Sequence, residues 1–398
     1  MKKPLKSMKC KYKAPKNVKY VRHGIATQVS RLARKKWGCS VKDLMNKGER
    51  HVVKTLQDAN ILPEWKGKTC PHCNKGVLGP MKVRADTGRL TYRCNLGREC
   101  GKHVCPHAFH PIFHTGWGSA TVPLEDQAVI LFCTVAGCSY TAAGRIVPNS
   151  EKTVQLIYRR LYATRSSYVV WKEKKIRFGE GEAWKDVEAD EVDLGKAEDP
   201  DAKPNAKKPM IWEQWGGLVE RGAPQTLVLF KLKPVKTKKR APGPGPITKR
   251  DWKPISTKWL KGRKVILHTD GARTYKMDID GVEHDYAVHK EKKVTIKGRT
   301  FWMKPKFSKV FYHNVETIGG KSVRLWVKTG TQIIDRAWGM LRNHVGRLNT
   351  GPNSVALNHR IRSFQWEYWN RGKDMWIATG DMIQALFEKN FKTTSTDF

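Results

Sequence analysis

Residues 265–275 read VILHTDGARTY, a run of strand-forming residues that ends in Asp270 and turns at Gly271. The stretch predicts a buried strand in a sheet fold, with a carboxylate at its C-terminal end. A strand fixes such a side chain while the loop after it leaves the carboxylate accessible, so sheet folds often place their chemistry there. Taken alone, an Asp before Gly is an ordinary turn residue. Its reading therefore depends on partner acids elsewhere.

Two candidates exist. Residues 180–201, EGEAWKDVEADEVDLGKAEDPD, hold ten acids against two lysines in a chain with only 36 acids. A cluster this dense repels itself unless solvent, basic groups or a bound cation compensates. Its centre, DVEADEV, alternates apolar and acidic residues as a strand with one polar face does, and Asp190 is the acid placed on that face. Downstream, TQIIDRAWGMLRNHV sets Ile334, Trp338, Leu341 and Val345 at helical spacing, with Asp335 and Arg342 two turns apart beside the stripe. A helix acid brought against two strand acids is an arrangement that can hold two Mg ions about 4 Å apart for in-line phosphoryl displacement, with Arg342 on a substrate phosphate.

The 76 Lys and Arg give a formal charge of +40. A polyanion is the partner this predicts, and nucleic acid fits best because neutralising phosphates releases counterions. No run approaches the roughly 20 apolar residues of a membrane span, so no membrane role is expected. Of nine cysteines, five lie between 70 and 105. CPHC at 70–73, a hairpin-like stretch, then CNLGREC and GKHVCPH predict a zinc ribbon. Cys70, Cys73 and Cys94 are its candidate ligands; the fourth is open between Cys100 and Cys105, with His103 and His107 as further options. Residues 123–163 predict a short helix, a turn and a longer helix beginning at Ser150, a helix-turn-helix layout for DNA. Lys152, Arg159, Arg160 and Arg165 are its candidate phosphate contacts. The Pro, Gly and Lys of 233–254 predict a flexible, solvated insertion.

In this order, zinc ribbon, helix-turn-helix, VEADEVDLG, WGGLVERG, ILHTDGARTY, GTQIIDRAWGMLR and FQWEYWNR, the chain resembles the Merlin group of cut-and-paste transposases and related bacterial insertion-sequence transposases. The matching positions are Glu188, Asp190 and Glu191; Thr269, Asp270, Gly271 and Tyr275; and Asp335, Trp338 and Arg342. The resemblance covers roughly residues 70–375. It implies a multidomain α/β protein whose ribonuclease H-like domain, a mixed sheet flanked by helices, carries an acidic triad of Asp190, Asp270 and Asp335 holding Mg2+ or Mn2+. The expected division is a basic, partly helical 1–69, a ribbon at 70–108, a helix-turn-helix at 120–166 and the catalytic domain at 184–392 with a basic insertion at 231–258. The implied activity is metal-dependent strand cleavage and strand transfer on double-stranded DNA, at terminal inverted repeats and target, by a homodimer or larger synaptic complex. The third acid is Asp where the family has Glu, the second cysteine pair is stretched, and 80 residues separate Asp190 from Asp270. Two alternatives stay open: a domesticated DNA-binding protein without catalysis, and a ribonuclease H-like nuclease with another nucleic-acid substrate. KPVKTKKR resembles a nuclear localisation signal, so the expected compartment is the nucleus in a eukaryote, and the cytoplasm or nucleoid in a bacterium.

Overall fold

The computed structural model describes residues 14–21, 37–114, 122–203, 205–288, 291–296, 298–305, 307–317, 320–346 and 354–390. The basic stretch IATQVSRLARKK lies outside them. The chain is mixed α/β and divides into two compact units, one of Thr27–Trp171 with Asn370–Phe398, the other of Met1–Ala26 with Lys172–Trp369. No helix among the described residues is long and apolar enough to cross a membrane.

The first unit begins with α1 (Val41–Leu44) and α2 (Glu49–Asp58), whose Val52, Val53 and Leu56 are buried. A small antiparallel sheet follows, β1 (Lys82–Val83), β2 (Leu90–Arg93) and β3 (His103–Val104) in that order. Then come α3 (Leu124–Val135), α4 (Tyr140–Ile146) and α5 (Glu151–Lys172). Ser139 caps α4 by accepting a hydrogen bond from the Ala142 amide at 3.1 Å, and Ser150 accepts from Thr153 N at 3.3 Å where α5 starts, as small hydroxyl residues at helix entries do. The helix Met375–Asn390 belongs to this unit. A Cβ at its Gly380 would lie 1.7 Å from the Ala59 carbonyl oxygen, so only glycine permits that approach.

The second unit is built on a six-stranded mixed sheet. β4 (Lys185–Glu198) and β5 (Met210–Glu220) are antiparallel, and β6 (Val228–Lys231) and β7 (Lys236–Thr237) both pair antiparallel with β5. After α6 (Lys249–Trp259), β8 (Val265–Thr269) joins β4 in parallel and β9 (Val282–Tyr286) joins β8 in parallel, giving the order β6-β5-β4-β8-β9. Two hairpins leave this sheet, β10 (Lys292–Ile296) with β11 (Arg299–Met303) and β12 (Val310–Glu316) with β13 (Ser322–Lys328). Helices α7 (Gln332–Val345) and α8 (Val355–Asn370) close the unit.

Both faces of the sheet are covered. On one, Val192, Trp215 and Leu229 pack with Ile334, Trp338, Leu341 and Val345 of α7 and Ile361 and Phe364 of α8. On the other, Val187, Ala189, Val265 and Leu267 pack with Trp252 and Trp259 of α6. Residues 233–246 are largely exposed, as a solvated insertion would be, but the second layer corrects that reading from Ile247 onward. Thr248 caps α6, Trp252 is fully buried and lies edge-on to Tyr275 at 4.8 Å, and the Ile247 amide donates to Glu191. Flanking Lys, Pro and Gly masked a helix with one apolar face.

Candidate metal centres

The cysteine cluster is closed by Cys70, Cys73, Cys94 and Cys100, whose sulfurs all lie within 4.8 Å of one another and could hold a metal ion such as zinc. Cys70 Sγ is 3.8 Å from Cys100 Sγ, and Cys73 Sγ is 3.9 Å from Cys94 Sγ. A tetrahedron with Zn–S bonds of about 2.3 Å has edges near 3.8 Å, so the sulfurs already sit at ligand spacing. The five residues between Cys94 and Cys100 fold into a helical turn, with Cys100 N donating to Leu96 O at 2.7 Å, and this turn absorbs the stretched gap. Gly76 is required beside it, since a Cβ there would meet Cys94 Sγ at 2.4 Å. The amides of Gly76 and Lys75 stabilise the Cys73 thiolate and bring its pKa down to about 6. Cys105 lies outside the cluster, as do His103, which bonds Thr91 Oγ1 at 3.0 Å, and His107. Cys100, not Cys105, is therefore the cysteine positioned to be the fourth ligand. One zinc per chain is expected by atomic absorption, lost in Cys100→Ser and retained in Cys105→Ser.

In the second unit the sequence-selected acids gather at one end of the sheet. The parallel register pairs Glu188 with His268, the last pair between β4 and β8, so Asp190 follows two residues further on β4 and Asp270 directly past the end of β8, at the same end of the sheet. Asp190 points to α7: its Oδ2 accepts a hydrogen bond from Trp338 Nε1 at 3.1 Å. Gly217 makes this contact possible. It stands opposite Asp190 on β5, and a Cβ there would press to 2.6 Å from the Trp338 ring. Asp335 lies one turn before Trp338, exposed in the first turn of α7, and its Oδ2 accepts from Thr331 Oγ1 at 3.1 Å. Asp270 Oδ1 accepts from the Ala272 amide at 2.8 Å. Each carboxylate thus has one oxygen fixed by a neighbour.

Asp190 senses the other two acids. Burial, then the charges of Glu191, Asp335 and Asp270, hold the Asp190 carboxyl well above the ordinary carboxylate range. Clustered acids of this kind favour a proton or a cation between them. They do not converge as tightly as the thiols, since among the described residues only the cysteine group brings three or more ligand atoms within 4.8 Å.

The flanking acids hold the frame. Glu188 is fully buried, and its Oε2 accepts from the Ile333 and Ile334 amides at 2.9 and 3.1 Å, capping the N-terminus of α7 from across the fold. Its Oε1 accepts from Arg221 Nε at 2.7 Å and from the Tyr20 hydroxyl. Arg221 in turn donates to Lys328 O at 2.5 Å and Gly330 O at 2.7 Å, fixing the chain that enters α7. Glu191 faces the other side of β4, where Tyr275 donates to its Oε2 at 2.5 Å and anchors the loop after Asp270. The first acidic motif therefore braces the elements that carry both other acids. Arg221 went unnoticed in the sequence; an arginine closing a buried, apolar strand before Gly222 is the signal that marks it.

Beside Asp270 runs a chain of alternating carboxylates and imidazoles, buried at His268, Asp285 and His313. His268 reaches Asp285 through Nδ1 and Asp186 through Nε2, both at 2.8 Å, and His313 reaches Asp285 at 3.1 Å and Glu283 at 3.3 Å. Burial alone would lower the His313 pKa, but Asp285 and Glu283 outweigh it and raise it from 6.5 to about 9. His268 is likewise raised, with Asp285 and Asp186 overcoming its burial. A histidine raised on folding contributes stability that is fully present below about 6.5 and lost as pH climbs through its folded value. Thermal stability is accordingly expected to fall between pH 6.5 and 9.5, and His313→Gln to flatten that profile.

The basic candidates fare unevenly. Lys152, Arg159 and Arg342 are exposed. Arg160 instead donates to Ile112 O and Phe113 O at 3.3 and 3.1 Å, and Arg165 is 1% exposed, so neither side chain is presented for phosphate. Helical periodicity placed them on α5 without showing which face is covered. No protein-family model, curated protein or solved structure matches this chain.

Proposed function

We propose that the chain is a DNA transposase of the type its motifs resemble, in which Asp190, Asp270 and Asp335 hold divalent metal in a ribonuclease H-like unit. The observation that carries this reading is the convergence of the separate motifs. Glu188 caps the helix of Asp335, Trp338 holds Asp190, and Glu191 anchors the loop of Asp270 through Tyr275. A mixed sheet covered by helices on both faces is the architecture such a domain needs. Carboxylate oxygens are the donors that hard Mg2+ or Mn2+ selects, and such ions supply charge stabilisation to both the attacking and leaving oxygens of a phosphodiester. The chain's own part is to fix the acids on rigid elements and to bring DNA to them with its positive surface. Zinc, held by the four cysteines, serves folding rather than chemistry.

Mg2+- or Mn2+-dependent cleavage of a duplex carrying the flanking terminal repeats tests the reading. Wild-type protein is expected to cleave and Asp270→Ala to bind without cleaving; equal behaviour of the two would remove the proposal. A second reading, a DNA-binding protein that has lost catalysis, draws on Asp335, whose side chain is one methylene shorter than the family's Glu. Tight binding of the repeats with no cleavage by the wild type would favour it.

A further inference from the structure

Among the described residues the hairpin of β10 and β11 pairs with no third strand, and it carries some of their most exposed large apolar side chains. Trp302 is 65% exposed, and Phe301, Met303 and the following Phe307 are each more than half exposed. In a strand successive side chains point to opposite faces, so Trp302 lies on one face and Phe301 and Met303 on the other. Neither face is buried. A lone two-stranded hairpin is marginal in water, and leaving an indole and a phenyl ring in solvent gives it no core.

Its charge is as uneven as its polarity. Residues 290–306, KEKKVTIKGRTFWMKPK, contain seven Lys and Arg and one Glu. Lys293 stands directly opposite Trp302 in the register, and the next pair on the same face, Thr295 with Thr300, adds hydroxyls 3.4 Å apart. An exposed aromatic plane with Lys293 opposite it, in a segment this rich in Lys and Arg, is a poor surface for a second copy of a +40 protein. It is the composition with which proteins hold unpaired nucleotides, rings stacking on bases while cations meet the backbone.

We infer that this hairpin is a second nucleic-acid contact, one that holds unpaired bases by stacking on Trp302 with Lys293 at the adjoining phosphate. The inference draws on the nucleic-acid part of the proposed function and not on catalysis. Fully paired DNA hides its base faces and gains little from such a platform, so the hairpin selects single-stranded or locally opened segments.

Fluorescence anisotropy of the full-length protein with a labelled single strand and with the matching duplex tests this. Trp302→Ala is expected to weaken single-strand binding about 10-fold or more at fixed salt, with duplex binding changed less than about twofold; Trp302→Phe should recover most of the loss. Equal losses on both substrates, or none on either, would overturn the assignment. A change in oligomeric state by sedimentation with unaltered DNA binding would also overturn it and make the patch a protein interface. Because the readout is binding, a wild-type protein that fails to cleave DNA sinks the transposase reading and leaves this inference standing.

Discussion

Asp190→Asn is expected to lower metal-dependent DNA cleavage by more than about 100-fold while duplex binding is retained. Loss of even an outer partner of a metal ligand costs 10- to 100-fold, and under the proposed function Asp190 is a ligand itself, with the charges of Asp335 on α7 and of Asp270 just past β8 acting on it. Asparagine keeps the shape and can still accept from Trp338 Nε1, so the fold should survive. Asp335→Glu is the companion experiment. Restoring the longer side chain in the exposed first turn of α7 is expected to maintain or raise the rate, because it extends reach toward Asp190 and alters only the part-buried contact with the Thr331 hydroxyl. Cleavage by Asp190→Asn at the wild-type rate would remove this acid from the site.

The second large effect concerns stability. Glu188→Ala deletes the partner of a buried Arg221, leaves two helix amides uncapped and unties Tyr20. Breaking a buried ion pair by removing one member costs about 3–5 kcal/mol, since an uncompensated charge stays behind. For a unit of this size that corresponds to a fall in Tm on the order of 10 °C. Glu188→Gln, whose single carbonyl oxygen can still accept from both amides although it no longer pairs with Arg221, should lose less. A thermal melt of Glu188→Ala within about 2 °C of wild type would show that the helix entry is held by something else.

Much of the candidate site was legible because strand and helix periods assign faces. Asp270 at a strand end and the Ile334, Trp338, Leu341 and Val345 stripe follow from spacing, and the stripe is buried as that spacing requires, whereas the face of Asp190 expected to be polar is covered by α7. Partners were less legible, because they depend on register between segments far apart in sequence. Nothing local says that Glu188 caps a helix 145 residues later, or that His268, Asp285 and His313 meet in one buried chain. Composition misled where charge and burial coexist: the basic flanks of α6 hid Trp252, and Arg160 and Arg165 counted toward a DNA surface although their side chains turn inward. The cysteines were legible to the third ligand, and the turn from Leu96 to Cys100 decided the fourth.

The central claim is that Asp190, Asp270 and Asp335 together hold divalent metal. Electron paramagnetic resonance of free Mn2+, titrated into zinc-loaded protein at constant salt, measures this without requiring any substrate. Wild-type protein is expected to remove Mn2+ from solution in a saturable manner, and both Asp190→Asn and Asp270→Asn to abolish that uptake. Undiminished binding by the two variants would contradict the account.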